Sequence, residues 1–531
     1  MGRRNPRLSG IARWVGDPSL RALAGAIILF VGACAGEREE PAESTQAMAP
    51  GATRFFAAAF EYISDRFVDP IAPSALAVSG LGNLAKIDPE FAVAQVSDQI
   101  EVKERGAVIA RFARPAREDT SRWAAVTVAA INSGRDHSEP LRSASSETLY
   151  QTVADGAIKR LDQFSRYNSR DVARDNRAAR EGFGGIGVNI DTEGGAVRVA
   201  SVMADSPAAR AGVKVDDRIT QIEGEPVTGV DVRDIVRRLR GPVGKSVAID
   251  LKRADAASPL HMVIVRALVV PQTVTYRRDG EIGHIKVTGF NQRTAERLHQ
   301  ALAKARGDIG PGMRGVVLDL RGNLGGLFEQ AVAVADLFLA KGQIVSTHGR
   351  HRASNQIAEA ASGDPGENVP IIVLVNGSSA SSAEIVAAAL QDNGRAIVVG
   401  TTSYGKGTVQ TVIPLPNDGE LVLTWAYFYA PSGYPLNNLG INPSICTTGL
   451  EGGAAAVVGA VRSGTLPING ATMAEWRAAD HRNLSSLQAL RSRCKPDIRE
   501  REVDYEIARR LLDEPGLYAA ALRQAQLAAA R

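Results

Sequence analysis

The sequence predicts a multidomain α/β protein, and three observations carry that prediction. A chain of 531 residues with 44% hydrophobic and 23% charged content outgrows a single hydrophobic core, which rarely organises more than about 250–300 residues. Its periodicity changes character twice, near residues 181 and 271. After the second change, apolar runs of strand length alternate with helix-length segments, the pattern of strands buried on both faces by helices. The balance of 62 basic and 58 acidic residues, a formal charge of +4, gives no basic surface of the kind nucleic acid needs, so no nucleic-acid partner is expected.

Taken in order, residues 1–33 read as an export signal. Arg3, Arg4, Arg7 and Arg13 precede an apolar run over 22–33 that is too short to span a bilayer comfortably. The run ends Val31-Gly32-Ala33-Cys34, which resembles the lipobox of bacterial lipoproteins and makes Cys34 the candidate lipidation site. An ordinary cleaved signal or an uncleaved anchor, with Cys34 incidental, is the alternative. Either way the expected location is the bacterial periplasm, with membrane attachment through a lipid or the signal itself. Residues 34–50 are rich in Glu, Ala, Pro and Ser without an apolar period and form a flexible tether.

Residues 51–180 are mostly helical in pattern, with spacings such as Phe56, Phe60, Ile63, Phe67 and Leu149, Val153, Ile158, Leu161, Phe164. Residues 181–268 carry short alternating runs, among them 187–190, 197–199, 218–222 and 246–251, with one helix over 230–239, which describes a small, partly open barrel. In residues 269–449, the run 316–320 leads through a glycine-rich turn into a helix over 327–339. The run 371–375 leads through residues 376–379 into a helix ending near Asn393. Residues 450–531 are Ala-rich and charged and read as helices packed on that core, without an activity of their own. With Cys34 set aside, Cys446 and Cys494 remain as a pair in an oxidising compartment, and a disulfide tying the tail to the core is expected.

The turn after Val375 is the most informative point in the chain. Ser378, Ser379, Ala380, Ser381 and Ser382 precede Ala383-Glu384-Ile385, and a strand–turn–helix transition exposes its side chains at the sheet edge while aiming backbone N–H groups at whatever sits there. Serines also crowd such turns because they cap helices, and on the turn alone that reading is the stronger. Tyr404-Gly405-Lys406-Gly407-Thr408-Val409-Gln410 shifts the balance. A lysine between glycines is unshielded and can reach a neighbouring turn. To act as a general base near neutrality its pKa must fall by about 3 units, roughly 4 kcal/mol of desolvation and local field, so it must be buried. A phosphate-binding role lacks the spaced upstream glycine of a P-loop. A third segment, Leu318-Asp319-Leu320-Arg321-Gly322-Asn323-Leu324-Gly325-Gly326, lets the N–H of Gly325 or Gly326 join that of Ser382 as an oxyanion hole, typically worth about 3–4 kcal/mol; from this segment alone, glycines that serve only a tight turn fit equally well.

Together these motifs resemble the C-terminal processing peptidases, the tail-specific proteases of the S41 type, over residues 55–446. The resemblance implies a ClpP/crotonase-like α/β catalytic core, Ser381 as nucleophile, Lys406 as general base and Gln410 as the residue that orients the lysine. It also explains the small barrel: Phe183-Gly184-Gly185-Ile186-Gly187-Val188 is similar to the carboxylate-binding loop of PDZ domains. There Gly185, Ile186, Gly187 and Val188 would hold a peptide C-terminus while the peptide adds as a strand. Two departures stand out. The glycine turn has Arg321-Gly322-Asn323-Leu324 where relatives usually have two asparagines and a proline, so a looser oxyanion loop is expected. The nucleophile turn has Ser382-Ala383 where Ala and Ser are usual, which leaves Ser379 and Ser382 as minor rivals of Ser381.

Seven histidines leave a Ser–His hydrolase as a rival arrangement. His284 and His299 fall in strand and helix patterns, while His348 and His351 share a polar loop without acidic or cysteine partners at useful spacing. Neither a metal nor a cofactor is expected. The sequence therefore predicts an exported Ser–Lys endopeptidase acting on envelope proteins with free C-terminal tails. A catalytically silent or adaptor-gated PDZ scaffold is the competing class. By analogy with relatives, an adaptor protein and a homodimer through residues 54–169 are candidate partners.

Overall fold

The structure, a computed structural model, describes residues 48, 51–193, 195–361, 369–466, 470–480 and 482–529. The export segment and Cys34 lie outside the described residues. No helix among the described residues is long and apolar enough to cross a membrane.

The central sheet has six strands in the order Val274–Asp279, Ile282–Val287, Gly315–Asp319, Ile371–Val375, Ile397–Gly400 and Ile445–Cys446, antiparallel at the first pair and parallel thereafter. Both Gly315–Asp319 and Ile371–Val375 are buried along their whole length. The cause is the two-residue alternation of a strand. Ile371, Val373 and Val375 pack into a cluster with the helices Thr294–Ile309, Phe328–Asp336 and Ser382–Asp392. Ile372 and Leu374 face the other way, into a cluster with the C-terminal helices Gly453–Ser463, Glu502–Asp513 and Pro515–Ala529. The residues after 450 are thus the second cover of the sheet. Cys446 and Cys494 form a disulfide with Cα atoms 5.9 Å apart, joining the last strand to the end of the helix Leu484–Ser492.

A second sheet runs Gln356–Glu359, Gln343–His348, Glu420–Tyr429 and Thr408–Pro414, and Arg166–Asn168 pairs with Glu420–Tyr429 from the N-terminal side. The barrel predicted over 181–268 has a sheet ordered Leu260–Val265, Ser246–Lys252, Arg218–Ile222, Ala196–Val202 and Val188–Glu193, with Glu225–Pro226 on Arg218–Ile222. Its own apolar cluster centres on Val199, Ile235, Val247 and Leu251, and the helix is Val232–Leu239.

The N-terminal region is helical as expected, with Ala52–Arg66, Pro73–Gly82, Thr120–His137 and Ser146–Ile158 around Phe55, Phe56, Phe60 and Trp123. It also holds a three-stranded antiparallel sheet, Phe91–Val96, Gln99–Glu104 and Ala107–Ala113, which helical spacing does not anticipate. The middle strand turns Ile100, Val102 and Glu104 inward on a period of two. The bends fall at Ser97 and at Arg105-Gly106, all with positive φ.

Candidate active site

The parallel strand Ile371–Val375 ends in Asn376, whose side-chain oxygen accepts the N–H groups of Gly322 and Ser378, each at 3.1 Å. Asn376 so ties the nucleophile turn to the glycine turn of the neighbouring strand. Two of the candidate serines are committed to the same junction. The Ser379 hydroxyl donates to Leu320 O at 2.8 Å, and that of Ser382 to Gly326 O at 3.0 Å. Ser381 stands at the N-cap of the helix Ser382–Asp392 and is 8% exposed, with φ +55° and ψ −115°. An L-residue persists in that region only where its surroundings over-determine it, a form of strain found at functional turns.

The glycine turn closes against this serine. A methyl added at Gly325, whose φ is +100°, would lie 2.8 Å from Ser381 Cβ and 3.1 Å from Ser382 N. Only a residue without a side chain allows this approach. The Gly325 N–H donates to Asn323 Oδ1 at 2.8 Å, and Asn323 is itself fully buried, donating to Val287 O. Of the two glycines named from the sequence, Gly325 donates its N–H to Asn323, and Gly326 bridges to Phe290 while its carbonyl oxygen accepts the Ser382 hydroxyl. Asn323 and Asn376 bridge the loop from within. Leu324 projects into solvent at the lip, 72% exposed.

Glu384 joins the nucleophile turn to the lysine turn. Its side chain is fully buried. Oε2 accepts the backbone N–H groups of Ser381 at 2.7 Å and Lys406 at 2.9 Å, and Oε1 accepts the Gly405 N–H at 2.7 Å and the Ser403 hydroxyl at 2.5 Å. Burial pushes this carboxyl above its ordinary range, against the pull of the four donors. Arg491, on the helix Leu484–Ser492, donates to Ser403 O at 2.9 Å and to Leu439 O, bracing the lysine turn from behind. The Ser-x-x-Glu spacing at a helix start is a readable signal for Glu384. Arg491 has none.

Lys406 Nζ sits over the Phe164 ring, 5.3 Å from its centroid. Among the described residues no hydrogen bond joins Nζ to Ser381 Oγ. Burial first, then the like charge of Arg166, hold Lys406 below the usual lysine range, while Glu384 and Asp162 pull the other way. Gln410 lies at a bulge between Thr408–Pro414 and Glu420–Tyr429 and donates to the hydroxyls of Thr408 at 2.7 Å and Thr424 at 3.2 Å. These contacts set it beside the lysine strand and not on the lysine itself.

His284, His348 and His351 fall elsewhere. His284 pairs with buried Asp319 at 3.3 Å behind the sheet. His348 and His351 pack on Tyr429 and Trp425. No cluster fit for a metal ion occurs among the described residues. In the small barrel, Gly185 pairs with Ala267, Ile186 is in the apolar cluster, and Val188 begins the edge strand Val188–Glu193. Gly187, at φ +83°, packs on Ser206 so closely that a methyl would meet its Cβ at 2.3 Å. An open edge strand beside a glycine loop is the geometry of strand addition.

Residues 281–447 match the model of peptidase family S41, and residues 198–253 match a PDZ domain. The chain is 41% identical over 301 residues to the carboxy-terminal-processing protease of Bartonella bacilliformis, a match covering 56% of this chain and 69% of that protein. It is 33% identical over 300 residues to the carboxy-terminal processing protease CtpA of Bacillus subtilis, covering 55% of this chain and 63% of that one. Among solved structures, the photosystem II D1 C-terminal processing protease aligns over 75% of this chain and 93% of its own, at 23% identity and a TM-score of 0.37.

Proposed function

We propose, from the premise that the chain belongs to the carboxy-terminal-processing proteases of peptidase family S41, that it is a serine endopeptidase with Ser381 as nucleophile and Lys406 as general base. The observation that carries this reading is the Glu384 carboxylate, which holds the backbones of Ser381 and Lys406 on a single oxygen. Two residues 25 positions apart are thereby fixed as one unit, counting 406 − 381. In the reaction, neutral Lys406 takes the Ser381 Oγ proton as Oγ attacks the scissile carbonyl, and the N–H groups of Ser382 and Gly326 receive the oxyanion. Collapse of the tetrahedral intermediate expels the amine, which takes the proton back from Lys406. Water then hydrolyses the acyl ester with Lys406 again as base.

The PDZ module supports substrates recognised by their C-terminal tails, since such modules hold peptide termini by strand addition. The basic, apolar start of the chain supports a periplasmic enzyme lipidated at Cys34 and acting on envelope proteins. The intact mass of protein recovered from membranes tests the lipid, and an unmodified Cys34 there ends that part of the proposal. A resting, adaptor-gated state is the second reading, supported by the lack of a hydrogen bond between Lys406 Nζ and Ser381 Oγ among the described residues.

The test is cleavage of an unstructured polypeptide with an apolar C-terminus by the parent, Ser381→Ala and Lys406→Ala, followed by mass spectrometry. Cleavage abolished by both substitutions is expected. Activity that survives Lys406→Ala sinks the Ser–Lys mechanism, and an inert parent shifts weight to the gated reading.

A further inference from the structure

A general base working near neutrality must be shielded from water, yet Lys406 lies between two glycines that shield nothing. The shield must come from another element, and the structure supplies one. Residues 162–166 leave the N-terminal helical region and run over the lysine, bringing the Phe164 ring to 5.3 Å from Nζ. This segment is firmly seated. Asp162 Oδ1 accepts the Ser165 N–H at 2.8 Å, and the Ser165 hydroxyl accepts the Thr424 N–H at 3.1 Å. Arg166 and Tyr167 pair with Val422 and Leu421, and Tyr167 is buried in the N-terminal cluster. Thr424 in turn accepts from Gln410, so Phe164 belongs to the same hydrogen-bonded assembly as the lysine strand.

We propose that Phe164 is a positioning residue for the Ser–Lys reaction, its ring forming the apolar wall that keeps water from Lys406 Nζ. The pocket of the base is then completed by the N-terminal region, outside both family-matched segments. The inference rests on Lys406 being the base. The charged groups that face the lysine are Arg166 on the same segment, Asp162 in the turn before it and Glu384 from the core helix; Arg166 itself faces Arg180 and Glu420. The like charge of Arg166 works in the same direction as burial and second to it, and Glu384 is held by four donors. Burial remains as the leading influence, and Phe164 is the aromatic ring found at Nζ. An aromatic face also attracts an ammonium, which works in the opposite direction and gives the test its sign.

The apparent pKa of Lys406 is read from the pH dependence of its acetylation by acetic anhydride, followed by peptide mass spectrometry on the full chain, a measurement that needs no turnover. Phe164→Ala is expected to raise it by about one unit, a tenfold smaller neutral fraction below the pKa. The acid limb of kcat/KM should move up in step and activity recover at higher pH. Phe164→Leu, which keeps an apolar wall, should leave both in place. Should Phe164→Ala fail to fold, Phe164→Gln provides the polar replacement with the same expected rise. A pKa unmoved or lowered by the alanine or glutamine change overturns the proposal. Peptidase activity in Lys406→Ala overturns the Ser–Lys reading instead, whatever the labelling shows.

Discussion

The two halves of the proposed dyad are held in different ways. The nucleophile half is held by side chains of its own turn: Asn376, Ser379, Ser382 and Glu384, all buried and all within five residues of Ser381, bond to the turn's backbone or to the neighbouring glycine turn. The base half has its backbone fixed at Gly405 and Lys406 by Glu384, from the helix that follows the nucleophile. The end of its side chain rests on Phe164, and the turn is braced from behind by Arg491. A serine can thus be aimed by its own helix start, while a lysine that must lose a proton depends on elements far away in sequence. One half is set by hydrogen bonds, the other by burial.

The largest expected effect comes from breaking the one group common to both halves. Glu384→Gln turns an acceptor into a group with two donors of its own, facing three backbone N–H groups and the Ser403 hydroxyl. Stranding buried donors costs about 1–3 kcal/mol each, and displacing a reacting group by about 1 Å costs about 100-fold. A loss of at least that factor in kcat/KM, with a lowered melting temperature, is expected from parallel kinetics and calorimetry. If full activity survived, the two turns would be independent and the comparison would fail.

Opening the disulfide should weaken the brace and spare the nucleophile. Cys446 and Cys494 are 48 residues apart, and closing a loop of that length stabilises by up to about 4 kcal/mol in the chain-entropy picture. The loop contains Arg491, which donates to Ser403 O. The Cys446→Ser and Cys494→Ser double variant is expected to unfold at a lower denaturant midpoint and to lose activity by less than Glu384→Gln. An unchanged midpoint would mean that the tail is held by packing alone.

How much of this was legible in the sequence follows the same division. The order of the central elements, the strand–turn–helix around Ser381 and the isolated lysine could be read because each is a pattern within about ten residues. The sheet over 91–113 was hidden, since alternation of two within a largely helical stretch is easily absorbed by helical spacing. Phe164 could be read only as one more apolar position on a helix, and Arg491 only as a charge on a C-terminal helix. Their roles arise when Arg166–Asn168 joins Glu420–Tyr429, and when Leu484–Ser492 is drawn to the sheet by Cys494. Gln410 shows the reverse: a local motif marked it as the partner of the lysine, but a bulge turns it to Thr408 and Thr424.

That last contact yields the smallest and most discriminating effect. Thr424 accepts from Gln410 through its hydroxyl and donates its N–H to Ser165, so it links the strand of the base to the segment that carries Phe164. Thr424→Val removes the hydroxyl and keeps both the backbone donor and the β-branched shape. A net loss of about 0.5–1.5 kcal/mol is expected for a single neutral hydrogen bond. If Gln410 matters only as a strut, melting should fall by that amount and kcat/KM should hardly change. If it orients the lysine during turnover, releasing its amide from Thr424, with Thr408 its remaining acceptor, changes kcat while KM stays constant. Because the substitution leaves Ser381 and its turn untouched, any change in kcat isolates the base half from the nucleophile half.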